Sequence, residues 1–175
     1  YLDGEAYFDV AHDASRAFRV HTGRMTVEQR GTRFTVIGFA DDPHNVVAVA
    51  EGVVEVTGKD GGAGVILNPA DVAEVSLSGT VSARRNVSIE KYFSWVDGLV
   101  RFDQETVAEA ALIIRRRFGI NLYIADSTLA RRRFTGTLRA SSLYRDLRGL
   151  ALLLDAEYER RGRDVVFSSQ KDPPR

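Results

Sequence analysis

The 175-residue chain carries 24 Lys and Arg against 24 Asp and Glu, for a formal charge of zero, and 44% of its residues are hydrophobic. These are ordinary values for one large or two small globular domains, and they exclude a general nucleic-acid binder or a chain too polar to fold. With no cysteine, disulfides, thiolate metal sites and thiol nucleophiles are excluded as well, and no apolar run is long enough to span a bilayer.

Charge is nevertheless unevenly spread: residues 1–97 carry −5 and residues 98–175 carry +5, as expected of two units with different surfaces. The chain opens at Tyr1, without an initiator Met and almost inside its first strand, and reads as an excised fragment. Through residues 4–38 apolar side chains recur at every second position: Ala6, Phe8 and Val10, then Phe18 and Val20, Met25 and Val27, Phe34 and Val36. That period predicts four half-buried strands, separated by turn-forming residues 12–15, 22–24 and 30–31. Strand character resumes over residues 46–50 and 53–56, with a tight bend at Glu51 and Gly52, and again over 65–67, 72–77 and 79–83. Between them lies GKDGGAG, residues 58–64. It fails as a phosphate loop because Lys59 is followed by Asp60 and then by a strand, so it predicts a hairpin loop. The spacing throughout is that of an all-β sandwich, barrel or solenoid.

Residues 85–97 read as a connector, polar at first and ending in Phe93 and Trp95, which predict an inter-domain plug. From Gly98 the period changes. A short strand over residues 99–102 precedes helical spacing at Val107, Ala110, Ala111, Ile114 and Phe118, with Asp103 as the expected N-cap and Gly119 as the expected stop. A strand follows over residues 120–124, then a loop over 125–133. The same pattern then repeats 36 residues later: Phe102, Val107, Ala111, Ile114, Phe118 and Leu122 fall on Leu138, Leu143, Leu147, Leu150, Leu154 and Tyr158. A constant offset at six core positions predicts two strand-helix-strand units on one small sheet, closed by a hairpin into residues 165–167. Domain limits are therefore expected at 1–84 (all-β) and 98–168 (α/β), with a disordered tail over 169–175.

Two stretches carry a resemblance. GEAYFDVAHDASRAFRVHTGRMTVEQRGTRFTV resembles the signature of the periplasmic FecR domain, in which a GEAYFxV strand, a turn, an FxVxT strand and a GTxFxV strand follow in order. The likeness runs from Gly4 to Val36 without a gap and continues more loosely through EGVVEV at residues 51–56. It departs at Gln29 and Arg30, where the family more often has an apolar residue. Trp95, Gly98, Phe102, the helix with its Arg-rich end, residues 120–124 and Phe134-Thr135-Gly136 are similar to the C-terminal portion of FecR-like regulators, itself similar to the short signalling domains (STN-like) of secretins and TonB-dependent receptors. The resemblance implies an all-β FecR domain, sandwich or solenoid-like, followed by an STN-like α/β domain.

It also implies a function: the periplasmic part of a single-pass inner-membrane regulator of an extracytoplasmic-function sigma factor, receiving its signal from the signalling domain of a TonB-dependent outer-membrane receptor. The sigma factor would be held by a cytoplasmic segment outside these residues. A periplasmic glycan- or siderophore-binding module is the alternative.

Catalytic chemistry finds no support in the residues. His12, His21 and His44 are the only imidazoles, and no zinc helix, nucleophile elbow or serine-lysine pair occurs. Asp41, Asp42 and Glu51 read as turn carboxylates. No enzyme activity and no cofactor or metal are expected. Nucleic acid fits poorly too: Tyr123, Phe134 and Phe167 lack any RNA-binding motif around them, and Asp155, Glu157 and Glu159 offset the basic balance. The basic clusters are Arg115–Arg117 at a helix end and Arg131, Arg132 and Arg133 in the loop after it. A small sheet leaves an edge open for a partner strand, and the last strand is the expected edge. The expected partner-binding residues are therefore Arg131, Arg132, Arg133, Val165, Val166 and Phe167.

Overall fold

Alternation at every second residue becomes, in the computed structural model, nine strands among the described residues of the first half. The structure describes residues 1–13 and 15–169, and the chain divides into two units, Tyr1–Phe93 and Ser94–Arg175. The strands of the first unit are β1 (Glu5–Asp9), β2 (Phe18–His21), β3 (Met25–Gln29), β4 (Arg33–Ile37), β5 (His44–Glu51), β6 (Val54–Gly58), β7 (Val65–Leu67), β8 (Val72–Ser76) and β9 (Val81–Arg84). They form two antiparallel sheets, ordered β1-β4-β5-β8-β9 and β2-β3-β6-β7.

The inward-facing residues share one core. Val20, Met25, Val27, Val54, Val56 and Leu67 come from the smaller sheet, and Phe34, Val36, Val47, Val49, Ala73 and Val75 from the larger. Of the architectures open to short alternating strands, this is a sandwich. Phe34 is fully buried and Phe8 stacks on it at 4.9 Å, yet Phe8 itself is only half-buried because β1 is an edge strand. Gln29 takes the third inward position of β3 and is 3% exposed. Its side-chain oxygen accepts from the Gly31 N–H, which satisfies one half of a polar group at an apolar site.

The other face of the larger sheet is also covered. Val87, Ile89 and Phe93 pack with Ile37 and Val46 around Ala48, Val72 and Tyr92. This accounts for the unbroken apolar run in β5, since a strand buried on both faces has no polar alternate. Residues 90–93 form a one-turn helix, α1 (Glu90–Phe93), within the stretch read from sequence as a connector. The GKDGGAG loop joins β6 to β7. A Cβ on Gly58 would lie 1.7 Å from the Gly79 carbonyl oxygen, so this glycine serves the close approach of two stretches of backbone.

The second unit opens with a 3₁₀ turn (Ser94–Asp97). It continues as β10 (Leu99–Thr106), α2 (Val107–Phe118), β11 (Asn121–Ile124), α3 (Ser127–Arg131), β12 (Arg133–Arg139), a second 3₁₀ turn (Ala140–Ser142), α4 (Leu143–Leu153), β13 (Ala156–Arg161) and β14 (Asp164–Ser169). The two strand-helix-strand copies are both present, and their apolar positions meet in one core that includes Phe102, Val107, Ile114, Leu138, Leu147 and Phe167.

Three details differ from the sequence expectation. The expected single sheet is two: β10 pairs antiparallel with β12, and β11, β14 and β13 form a separate sheet. The first helix is capped by Thr106 and not by Asp103, because β10 runs on to Thr106. There the Thr106 hydroxyl accepts from the Glu109 N–H while the Glu109 carboxylate accepts from the Thr106 N–H, a reciprocal capping box. The expected loop over residues 125–133 contains α3, N-capped by Asp126, whose carboxylate accepts from the Leu129 N–H at 2.7 Å. α2 stops where Gly119 turns left-handed at φ 64° and donates to the Arg115 carbonyl. Ser169 closes β14, while residues 170–175 of the tail expected to be disordered lie outside the described residues.

Candidate partner-binding surface

The segment expected at a sheet edge lies in the sheet's middle. β14 pairs parallel with β11 on one side, Asn121 opposite Asp164 through Ile124 opposite Phe167, and antiparallel with β13 on the other. The hairpin after β13 folds the last strand inward, so position in the chain does not make it peripheral. Val165 and Phe167 are fully buried and Val166 is sandwiched between neighbours in the ladder. None of the three offers a backbone edge.

The open edges of this sheet are β11 and β13, and they differ. Along β13, Glu157, Glu159, Arg160 and Arg161 are exposed. Arg161 pairs with Glu159 at 2.7 Å, and the Arg160 guanidinium lies 3.3 Å over the Tyr144 ring. Charged side chains along an edge discourage a second strand from adding there. β11 is uncharged, Asn-Leu-Tyr-Ile, with Tyr123 53% exposed. Asn121 and Ala125 donate their N–H groups toward β14, to the Arg163 and Phe167 carbonyls. By the alternation of a parallel ladder, Leu122 and Ile124 turn theirs outward.

The three arginines have unequal roles. Arg131 is exposed at the end of α3, the short helix that follows β11. Arg132 donates to the Leu154 carbonyl at the C-terminal end of α4 and stands 4.0 Å from Asp155. Arg133 donates to the Gln104 carbonyl in the β10 bulge. Two of the three thus close backbone carbonyls of their own unit, and sequence could not show this because both acceptors are more than 20 residues away. Of the other cluster, Arg117 lies 5.5 Å over the Trp95 ring, so both belong to the second unit's packing.

His21 and Asp71 make structural contacts. His21 Nδ1 meets the Thr26 hydroxyl at 3.0 Å across a hairpin, and no group of three or more metal-ligating side chains occurs among the described residues. Asp71 is 4% exposed. Burial pulls its carboxyl upward, but the N–H groups of Asn68 and Asn86 and the Arg85 guanidinium more than offset this and hold it below the usual range. This triad fastens residues 85–86 to the turn before β8.

Comparison with known proteins follows the two-unit division. Residues 1–55 match the family described as FecR protein, and residues 99–167 match the family described as FecR, C-terminal, together more than half of the chain. The chain belongs to the FecR family. No curated protein matches the sequence. Two crystal structures of a candidate anti-sigma factor from Parabacteroides distasonis ATCC 8503 share the fold. One superposes with a TM-score of 0.80 at 20% identity over 97% of this chain and 79% of that one. The other gives 0.79 at 21% identity over 97% and 78%. FecR-family proteins are membrane-anchored signalling regulators. None of the described helices of this FecR-family chain is long and apolar enough to cross a membrane.

Proposed function

We propose that this chain is the periplasmic, signal-receiving region of a FecR-type regulator of an extracytoplasmic-function sigma factor, and that it is contacted by the signalling domain of a TonB-dependent outer-membrane receptor. Its output is protein recognition, with the sigma factor held by a cytoplasmic segment of the same regulator. Family membership of both units supports the reading. The observation that carries it to a surface is the uncharged, open edge of β11, where Leu122 and Ile124 turn their amides outward beside the half-exposed Tyr123. An open edge of this kind accepts a partner strand through main-chain hydrogen bonds. Arg131, one short helix away, remains the cation placed to attract an acidic partner; Arg132 and Arg133 contribute mainly by holding α4 and the bulge.

The test is binding between this chain and the signalling domain of the TonB-dependent receptor encoded nearest to it. Binding is expected, slowed by Arg131→Glu and weakened by Ile124→Pro, which removes an outward N–H and no bond to β14. A receptor domain that does not bind removes the receptor from the proposal. A folded Ile124→Pro variant that binds normally removes the β11 edge.

A further inference from the structure

A cleft of about 480 Å³ opens in the second unit where the end of α2 meets the start of α4. Phe118, Ile120 and Leu143 give it an apolar wall, and its polar lining is Ser141, Ser142, Arg145 and Arg163, with no carboxylate among the lining residues. Tyr144 also lines the cleft and carries the Arg160 guanidinium over its ring.

Of the neighbouring acids, Asp146 reaches a cleft arginine and the others are bonded elsewhere. Asp146 approaches Arg145 at 3.7 Å, but its side chain is only 12% exposed and accepts from the Arg139 N–H and the Ser142 hydroxyl, whereas the Arg145 side chain is 79% exposed. Glu159 is paired with Arg161, and Asp164 accepts from the Asn121 amide. The cleft therefore combines an apolar wall with two rim arginines, Arg145, which Asp146 partly offsets at 3.7 Å, and Arg163. Arg132, bonded at the other end of α4, belongs to a different patch about 16 Å away along the helix.

We propose that this cleft seats an acidic peptide segment bearing one apolar side chain, presented by the protein that the second unit binds. The inference rests on the partner-recognition reading above and adds to it a second contact point with its own chemistry. An apolar side chain would displace water from Phe118, Ile120 and Leu143, and flanking carboxylates would meet Arg145 and Arg163. A free phosphate or a nucleic-acid backbone would use the cations and leave the apolar wall wet.

The experiment uses the whole 175-residue chain, isotope-labelled for NMR, with the synthetic peptide acetyl-Asp-Leu-Glu-amide as the probe and acetyl-Lys-Leu-Lys-amide as its charge-reversed control. The acidic peptide is expected to shift the amides of Phe118, Ile120 and Ser141 to Arg145 and to bind about tenfold more weakly to the Arg145→Glu, Arg163→Glu double variant. Arg131→Glu is expected to leave that binding alone. If the double variant loses its fold, Arg163→Gln with a salt series replaces it, and binding indifferent to salt overturns the proposal. Shifts confined to other residues, equal binding of the basic peptide, or undiminished binding by a folded double variant also overturn it. Peptide binding without receptor-domain binding supports the cleft and overturns the receptor reading. Receptor-domain binding unaffected by the double variant, with no peptide binding, overturns the cleft and leaves the receptor reading standing.

Discussion

Leu147 is fully buried in the second unit's core, and Leu147→Ala is expected to cost about 2–5 kcal/mol in chemical denaturation, the range for a buried leucine. Gln29 stands out in the sequence only as a departure from the family's apolar pattern, and the acceptor role of its oxygen toward Gly31 was not legible because it depends on a turn that the period does not specify. Asp71 was not legible at all, since its partners Asn68, Arg85 and Asn86 are brought to it by folding. Its carboxyl is held below the usual 3.8 by those bonds, despite burial. A depressed folded-state value stabilises the fold above the unfolded value, and that stabilisation is lost as the pH falls through the folded value. Asp71→Asn is therefore expected to cost about 1–3 kcal/mol at neutral pH. The difference from the parent chain should shrink as the pH drops below 3.8, and a pH series of urea melts checks it.

Secondary-structure elements were the most legible level, and their failures are instructive. Strand period and turn residues placed all the first unit's strands, and the offset of 36 residues placed α2 and α4, because both signals are local. Cap choice was missed by three residues: Asp103 and Thr106 are both good N-caps, and what separates them is that β12 holds β10 extended as far as Thr106. Thr106→Ala is expected to cost about 0.5–2 kcal/mol, measured by thermal unfolding, with Asp103→Ala near neutral. Strand order was not legible. Pairing partners are set by tertiary packing, and the alternation that identifies β14 as a strand is silent about which neighbours flank it. Proline at Val166, which on the sequence reading would only block an edge, is now expected to unfold the second unit, because β14 is bonded on both sides. Loss of dispersed amide signals from residues 99–169 would show it.

Across the whole molecule, each core is drawn from one unit: one from residues 99–169, the others from residues 1–93. The opposite charge of the halves was the first sign of this division. Hydrogen exchange is expected to show protected amides in both, and Leu147→Ala to lower protection within residues 99–169. The cleft beside α4 was the least legible part, since it assembles Phe118, Tyr144 and Arg163 from three separated stretches. The central place of β14 also has a consequence for biogenesis. Its pairing with β11 joins residues 43 positions apart, and β13 has no bonded neighbour in its sheet until β14 returns along it. A chain still being synthesised would therefore hold two unsatisfied strands until residue 169 had followed, and during that interval both would be open to chaperones, to proteases or to another copy.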